Sequence, residues 1–409
     1  MDYWNNEKIV LKEENNHMTS GKMLLSLLFL LLLHTVGLAS TKPLNILFVV
    51  RYFPSASQIY VLNMIGGLIE RGHNVSIFSF NKNTDHKAYL HPHIDKYHLL
   101  DRVTYEHFPK VLPDYDVVFC QFGELVRDIL KISHLSEWLK QRKLVVCLRG
   151  FDITKYIKHS PFLNKYLFEK VDLFLPVCDY FKKQLIGLGC HSDKIIVHHS
   201  AIDCSQFFFT LREKPIDGVI HLVAVGRLVK KKGFDYAIKA FDKVVKKYPQ
   251  IDFTIVGDGG ERKYLESLIK KLKLKDKVKL LGWKSSAEVA AILDKAHIFL
   301  LPSITSSSGN REGIANALKE AMAMGLISVG TWHAGTPELI DNRISGFLVP
   351  EKNVAQLAQT LNYIIEHPDI WNSIALAARK KIEDEFEVKK TSEQLEEIFY
   401  NLLGQYVPN

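Results

Sequence analysis

Short runs of consecutive apolar residues recur along the chain, and stretches with helical periodicity separate them. The first run, 45–50 (NILFVV), is apolar throughout, which is typical of a parallel strand buried on both faces. A helix is predicted over 58–71, ended by Gly72, and a strand over 74–79 completes a βαβ unit. Further strands of this series are predicted at 117–120, 144–148, 173–177 and 195–197.

A second series follows 207–218, a polar, irregular stretch that we interpret as a linker because it contains Lys214-Pro215 and Asp217-Gly218. Its predicted strands lie at 220–225, 251–256, 278–281, 298–301, 327–329 and 346–349. Two such series predict an α/β fold with two doubly wound, Rossmann-like sheets that face each other across a cleft. Ligands are expected at the carboxyl ends of the strands, on the cleft side.

These patterns divide the 409 residues into successive parts. We predict an N-terminal extension over 1–40, a first domain over 45–206, the linker over 207–218, a second domain over 219–385 and a C-terminal helical segment over 386–409. We expect this last segment to pack back toward the first domain.

The extension contains an apolar segment, 23–40 (MLLSLLFLLLLHTVGLAS), which follows Lys22 and ends in a sequence that resembles a signal-peptidase site. As a helix of about 17 residues it would span only ~25 Å, which is marginal for a bilayer. A secretory signal, a membrane anchor and sequence upstream of the true start all stay open. We expect a cytoplasmic, membrane-associated protein, with secretion as the alternative.

The composition is that of a globular protein, with 47% hydrophobic and 24% charged residues. The net charge of +8 is concentrated in lysine clusters at 230–232 and 270–279. These clusters indicate either a solvated helix face or contact with anionic headgroups or an anionic substrate. Nucleic acid is not an expected partner, because no recognition module accompanies the charge. The five cysteines form no C-x-x-C pair and are expected to be buried free thiols.

The most informative polar residues are Glu312 and Glu320. A helix is predicted over 315–324, so Glu312 lies just before it and Glu320 lies within it. Their spacing of eight places them on a shared side of that helix. Upstream, the small-residue loop 303–310 leads into the helix N-terminus, where exposed amides and the helix dipole favour an anion. An anion site beside two carboxylates indicates a ligand that carries both phosphate and hydroxyl groups.

A basic loop closes the first strand of the second domain. Gly226 lets the backbone turn, and Arg227 and Lys232 can converge on one anion, arginine as a bidentate fork and lysine as a point charge. The loops at 256–260, 301–303 and 335–338 also follow predicted strands. Together these loops are expected to ring one pocket.

Four stretches in order carry a resemblance to a known family: G-R-x4-K-G at 226–233, G-D-G at 257–259, E-x7-E at 312–320 and G-x-P-E at 335–338. With them, the second domain resembles the donor domain of retaining glycosyltransferases of family 4, which have the two-domain GT-B fold. FPSASQ at 53–58 and RGHNV at 71–75 make the first domain similar to bacterial exopolysaccharide and colanic-acid-type members. The resemblance covers about residue 45 to the C-terminus.

The resemblance implies a UDP- or GDP-linked sugar as donor and co-substrate, with no cofactor. Arg227 and Lys232 would hold its diphosphate, Glu320 would accept hydrogen bonds from the ribose, and Glu312 would face the donor sugar. The developing charge of the leaving diphosphate requires cations and amides, so no metal is expected. The implied catalytic residues are Glu312, Arg227 and Lys232, and the implied donor-binding residues are Gly226, Arg227, Lys232, Gly257, Gly309, Glu312, Gly313, Ile314 and Glu320.

On the acceptor side, the resemblance implies Ser57, Arg149 and Asp152. Family members often carry His-Gly-x-Asp where this chain has Arg149-Gly-Phe-Asp152. Arginine stays protonated and cannot act as a base, but it can hydrogen-bond a sugar or an acceptor phosphate. Asp114-x-Asp116 and the histidines at 86, 91, 93 and 98 are interpreted as structural rather than as metal ligands.

We therefore predict a retaining, metal-independent transfer of a hexose to a glycan or lipid-linked glycan in surface polysaccharide biosynthesis, with peripheral membrane contact. A sugar-nucleotide epimerase or phosphorylase on the same fold is one alternative. A secreted two-domain sugar-binding protein is another, prompted by the signal-like segment at 23–40.

Overall fold

Six parallel strands build the first sheet, in the order β3-β2-β1-β4-β5-β6. Their bounds are β1 Asn45–Phe53, β2 Asn74–Lys82, β3 Val103–Tyr105, β4 Val117–Gln121, β5 Lys143–Leu148 and β6 Leu173–Pro176. The structure, a computed structural model, describes residues 42–55, 58–105, 114–131, 138–157, 161–215 and 218–405. All five residues of β4 are buried, as expected for a strand covered on both faces.

Helices cover this sheet: α1 Ile59–Glu70, α2 His93–Lys96, α3 Gly123–Leu130, α4 Pro161–Lys170 and α5 Asp179–Gly187, with a π-helical turn over Asp152–Ile157. Short 3₁₀ turns lie at His86–Tyr89, Leu99–Arg102, Ser192–Lys194 and Cys204–Gln206. The helix α1 is apolar on most of its surface and is buried from Val61 to Leu68. It ends where Gly72 adopts a positive φ of 89°, the left-handed conformation that glycine tolerates.

The second sheet also has six parallel strands, in the order β12-β11-β10-β7-β8-β9. They are β7 Ile220–Val225, β8 Ile251–Val256, β9 Val278–Leu280, β10 Ile298–Leu300, β11 Ile327–Thr331 and β12 Phe347–Val349. Its helices are α6 Phe234–Val245, α7 Arg262–Lys271, α8 Ser286–Asp294, α9 Asn316–Ala323, α10 Thr336–Leu339, α11 Val354–Glu366, α12 Trp371–Glu385 and α13 Val388–Leu402, with 3₁₀ turns at Lys230–Lys232 and Pro368–Ile370.

The prediction of two doubly wound parallel sheets is confirmed. The predicted strand at 195–197 is wrong. This segment runs beside β6, where the Ile196 and His198 amides donate to Phe174 and Pro176, each at 3.0 Å, but it forms only one bridge. Ile196 is 40% exposed, so this segment at the edge of the sheet is too solvated to continue the pairing beyond that bridge. Conversely, the edge strand β3 was not predicted.

The C-terminal helix α13 packs on α1, the first helix of the chain that the structure describes. The Ile202 amide donates to Phe386 O and the Val388 amide donates to Ile202 O, both at 2.9 Å, so the chain just before α13 is bonded to the segment that leaves the first sheet. Phe399 of α13 then meets Phe119 of β4, with ring centroids 5.6 Å apart. The end of the chain thus completes the first core. The domain boundaries themselves remain predictions.

All five cysteines are buried free thiols. Burial raises the pKa of the Cys147 thiol to about 11, so it is protonated and unreactive at neutral pH. The apolar segment 23–40 lies outside the described residues. Within the part of the chain that is described, no helix has the length and hydropathy needed to cross a bilayer.

The contact between α1 and α13 gives a stability prediction. A Cβ at Gly67 of α1 would lie 2.8 Å from Ser392 Cβ and nearer still to its hydroxyl, so the two helices touch at backbone distance. We expect Gly67→Ala to destabilise the protein by about 1–3 kcal/mol through overpacking and to lower the midpoint of thermal unfolding.

The control is Gly187→Ala at the end of α5, where a Cβ meets nothing within 4 Å. The same substitution there should leave the unfolding midpoint unchanged or raise it slightly. Equal midpoints for the two variants would contradict the tight packing of α1 on α13.

Candidate active site

The basic loop after β7 is held in shape by two close backbone contacts. A Cβ at Gly257 would lie 2.0 Å from Gly226 O, so the loops after β7 and β8 touch through glycine alone. Gly233, with φ of 68°, starts α6 where a Cβ would lie 2.0 Å from Pro302 O. No side chain fits at either position. These contacts bring the basic loop against the loop that leads to Glu312.

Two lysines of this loop converge on one carboxylate. The ammonium groups of Lys231 and Lys232 each lie 3.2 Å from Glu312 Oε2. Lys232 is 8% exposed as a whole residue, and Lys231 also keeps only a small exposed fraction. The sequence assigned Lys232 to the site but left Lys231 within a surface cluster. We call these three residues the Lys–Glu–Lys cluster.

The charges of the Lys–Glu–Lys cluster depend on one another. Burial opposes the ionisation of Glu312, but the two lysines more than offset it and hold its pKa at about 2. Burial also lowers the pKa of Lys232, an effect that Glu312 partly offsets. Two adjacent, poorly hydrated cations therefore share one carboxylate, which leaves donor capacity for a further anion.

A hydrogen-bonded chain fixes the backbone of Glu312. Its amide donates to His333 Nε2 at 3.0 Å, and His333 Nδ1 lies 2.5 Å from Glu351 Oε1. Glu351 also accepts the Thr305 amide at 2.8 Å. His333 is fully buried, and burial lowers its pKa, so the ring is neutral and donates to Glu351. Sequence reasoning missed these three residues, which lie up to 46 positions apart.

The backbone amides at the helix mouth are only partly available. The Gly309 amide is taken by Ser306 O at 2.9 Å, within a turn on the exposed loop. Among the described residues, the amides of Gly313 and Ile314 have no hydrogen-bond partner. The helix α9 begins at Asn316, so Glu312 precedes it by about one turn rather than opening it. Gly313 and Ile314, which follow Glu312 directly, therefore keep amide donors that are available to a ligand.

Glu320 lies on α9 and is half-buried. In the described part of the chain, its carboxylate makes no hydrogen bond and no ion pair. Burial raises its pKa to about 7, and the charges of Lys319 and Lys232 only partly oppose this. Lys232 therefore favours the ionised form of both Glu312 and Glu320. The structure thus brings together the two glutamates that the sequence singled out, around one lysine.

The first domain contributes Arg149. Its guanidinium stacks on the Tyr60 ring, 3.7 Å from the centroid, and Nη2 donates to Gln121 Oε1 at 3.2 Å. Burial raises the pKa of Tyr60 to about 12, and the charges of both Arg149 and Arg227 oppose that rise. Arg227 of the second domain is thus near enough to affect the same tyrosine. The charges of Arg149 and Arg227, one from each domain, thus both act on Tyr60.

Asp152, predicted on the acceptor side, is fully buried. Its carboxylate accepts the amides of Gly150 at 2.8 Å and of Arg149 and Ile153 at 3.1 Å. Burial raises its pKa, while these amides favour the ionised form. Asp152 thus stabilises the backbone of the Arg149 loop through hydrogen bonds, and its carboxylate does not lie in the open cleft. Ser57 lies outside the described residues.

The two domains touch at the rim of the cleft. A Cβ at Gly313 would lie 2.9 Å from Val177, so only glycine allows this approach. Glu338, in the G-x-P-E loop, accepts the amides of Asp179 at 2.8 Å and Tyr180 at 3.3 Å. It caps α5, whose own cap residue, Cys178, makes no side-chain cap hydrogen bond. A carboxylate of one domain thus completes a helix of the other.

The remaining candidate ligands have structural partners. Asp114 pairs with Arg142 at 2.5 Å, and Asp116 accepts the Asn45 amide at 2.7 Å. The rings of His91 and His93 pack edge to face, and His93 lies 3.6 Å from an Asp203 oxygen. Among the residues that the structure describes, no group of three histidine, cysteine, aspartate or glutamate side chains has the geometry to hold a metal ion.

With this geometry established, comparisons with known proteins identify the family. The model for group 1 glycosyl transferases matches residues 210–381. WcaL of Salmonella typhimurium, a candidate colanic acid biosynthesis glycosyltransferase, is 31% identical over 84% of this chain and 96% of its own length. AmsK of Erwinia amylovora, an amylovoran biosynthesis glycosyltransferase, is 35% identical over 70% of each chain.

Solved structures agree on the fold. HepE of Anabaena, crystallised with UDP, superposes with a TM-score of 0.71 over 87% of this chain and 100% of its own, at 19% identity. A glycosyltransferase of Rickettsia africae gives a TM-score of 0.69 over 88% of this chain and 99% of its own, at 18% identity. The chain belongs to the group 1 glycosyltransferase family and has the GT-B fold, as the four motifs of the second domain predicted.

Proposed function

We propose that this protein transfers a hexose, with retention of the anomeric configuration, from a nucleotide diphosphate sugar to a glycan or lipid-linked glycan. Glycosyltransferase activity follows from the family. The observation that carries the finer proposal is the Lys–Glu–Lys cluster beside the free amides of Gly313 and Ile314. It offers cations and oriented N–H donors for the diphosphate of the donor.

The diphosphate is the leaving group, and its charge grows as the bond to the sugar breaks. Lys231, Lys232 and Arg227 supply positive charge, and the two amides supply fixed dipoles that need no reorganisation. Glu312, held by the His333 contact, presents a carboxylate to the hydroxyls of the transferred sugar. With this charge supplied by side chains and backbone, we propose that the transfer needs no metal ion or other cofactor.

Retention requires the acceptor to attack the face that the leaving group departs from. The bond from C1 to the acceptor oxygen forms, the bond from C1 to the phosphate oxygen breaks, and the acceptor proton passes to that phosphate oxygen. Arg149, which stays protonated, orients the acceptor and removes no proton. Its position on Tyr60, whose pKa Arg227 of the second domain also affects, supports this role.

The relatives support a place in surface polysaccharide biosynthesis, since WcaL and AmsK are named for colanic acid and amylovoran. The HepE complexes with UDP support a nucleotide donor, and we propose a UDP- or GDP-linked sugar. We further propose a cytoplasmic location with peripheral membrane contact, for which the lysine-rich segment 270–279 offers an anion-binding surface. The family favours transfer over the epimerase, phosphorylase and binding-protein alternatives.

The Lys–Glu–Lys cluster predicts that substitution of two neighbouring lysines, Lys232 and Lys230, affects transfer activity very differently. Lys232→Ala should reduce transfer by at least about 100-fold, because it removes a buried charge from the leaving group's site. Glu320→Ala should raise the donor KM. The measurement is transfer or donor hydrolysis with a panel of UDP and GDP sugars.

Lys230→Ala is the matched control, because Lys230 is exposed and pairs with Asp235 and Glu261 at 3.8 Å, away from Glu312. Its activity should stay within about twofold of wild type. Unchanged activity in both Lys232→Ala and Glu320→Ala would refute the site. Isomerised nucleotide sugar, formed from donor alone, would instead support epimerisation.

The raised pKa of Glu320 predicts a pH dependence. As pH rises through about 7, the carboxylate ionises and becomes a better acceptor for hydroxyl groups, so donor affinity should rise several-fold from about pH 6 to about pH 8. Calorimetric titration with a nucleotide sugar measures this, because its esterified diphosphate does not titrate in that range. Glu320→Gln should lose the dependence, and an identical slope in both proteins would rule out this role.

A further inference from the structure

Arg149, a partly exposed residue, differs from two other stacked arginines of the first domain in having no carboxylate partner. In the described part of that domain, three arginines stack on aromatic rings. Arg51 pairs with Asp128 at 2.6 Å. Arg142 pairs with Asp114 at 2.5 Å. Arg149 forms no ion pair with any described residue, so its charge is not compensated by the protein.

The Arg149 guanidinium also keeps most of its hydrogen-bond donors. In the described part of the chain it makes a single hydrogen bond, from Nη2 to Gln121 Oε1 at 3.2 Å. Gln121 is fully buried and neutral, so it orients the guanidinium without balancing the charge. The Asp152 carboxylate accepts backbone amides of the loop instead. A planar guanidinium with unused N–H groups suits a phosphate or a carboxylate, which it can bind in a bidentate manner.

The Arg149 loop lies directly against the loop that carries Glu312. A Cβ at Gly313 would lie 3.4 Å from Arg149 O, and a Cβ at Gly150 would lie 3.0 Å from Arg311 O. The residues on both sides of Glu312 therefore contact this loop of the first domain. Arg149 is thus beside the carboxylate that we propose to face the transferred sugar.

Neighbouring groups show an excess of positive charge around Arg149. Burial and the charge of Arg149 lower the pKa of the Lys319 ammonium to about 7. Burial and the same charge also lower the pKa of His198, to about 4. Arg311 stacks on the Tyr180 ring, 5.0 Å from its centroid, and has no ion pair within the described chain. An anion supplied by a substrate would balance this charge.

We propose that the acceptor carries an anionic group, a phosphate or a carboxylate, beside the hydroxyl that receives the sugar, and that Arg149 binds this group. The inference rests on the proposed function and names the chemical class of its acceptor. The anion belongs to the acceptor rather than to the donor sugar, because Glu312 would repel a second carboxylate on that sugar. A lipid-linked sugar diphosphate and a uronic acid both carry such a group.

Matched pairs of acceptor analogues test the proposal and distinguish the two sources of the anion. The carboxylate pair is octyl glucuronide and octyl glucoside, and the phosphate pair is glucose linked to geranyl diphosphate and geranyl glucoside. Calorimetry measures the affinity of each analogue for the protein saturated with UDP. Wild type should bind the anionic member of one pair at least about tenfold more tightly than the neutral member.

Three variants assign this preference to Arg149. Arg149→Gln should lose it, and Arg149→Lys, which keeps the charge but not the planar fork, should keep part of it. Gln121→Glu supplies the missing carboxylate with nearly the same shape and should reduce the preference at least about tenfold. The affinity for UDP should stay within about twofold of wild type in all three, which also shows that they fold.

Arg142→Gln is the matched control, because Arg142 stacks on Trp138 but already pairs with Asp114. It should keep the wild-type preference. If wild type prefers neither anionic analogue, or if the preference survives in both Arg149→Gln and Gln121→Glu, the inference is overturned.

Two further results separate this inference from the proposed function. A preference for UDP-glucuronate over UDP-glucose that Arg149→Gln abolishes would place the anion on the donor and overturn the assignment to the acceptor. In these cases the proposed function stands, provided that the protein binds UDP and consumes a nucleotide sugar. If wild type binds no nucleoside diphosphate, the proposed function falls, and this inference falls with it.

Discussion

The proposed donor site depends on two lysine ammonium groups, Lys231 and Lys232, that lie close together with little water around them. Such a pair is unfavourable without an anion, because each charge has lost hydration and repels the other. Glu312 supplies that anion in the structure, with one oxygen 3.2 Å from both lysines. Contacts of the surrounding backbone hold the two lysines and Glu312 in these positions. The glycine at 233 sets the lysine turn against Pro302, and His333 and Glu351 hold the backbone of Glu312.

The loop beside this cluster also contacts the first domain. Gly313, one residue after Glu312, packs against Val177 at the end of β6, and Glu338 caps α5. The loop that carries the amides proposed to bind the donor is thus packed against the first domain. In the first domain, the Arg149 guanidinium stacks on the Tyr60 ring, and the charge of Arg227 also lowers the pKa of that tyrosine. Donor and acceptor are expected to meet between these two arginines.

Much of the fold could be predicted from the sequence, because continuous apolar runs such as NILFVV have few alternatives to a buried parallel strand. The second sheet was located with its strands within a few residues. Two predictions of strands failed, and each failure has a physical reason in the segment concerned. The segment 195–197 is apolar but half solvated, and β3 is three residues long with a weak pattern. Strand formation in such short segments is decided by tertiary contacts.

Motifs with a fixed residue type and spacing singled out Glu312, Glu320 and Lys232, which the structure brings together, and their roles stay predictions. Which lysine of a run of three turns inward depends on the 3₁₀ turn at Lys230–Lys232, so Lys231 was missed. His333 was missed because hydrogen bonds between distant segments leave no local signal in the sequence.

The central claim is that the Lys–Glu–Lys cluster binds the donor's diphosphate. The most direct measurement is the ratio of dissociation constants for a nucleoside monophosphate and the matching diphosphate, by calorimetry at one salt concentration. Two cations and two free amides predict that the diphosphate binds at least about 100-fold more tightly. Equal affinities for the two nucleotides would show that the cluster does not hold the second phosphate, and would contradict the account.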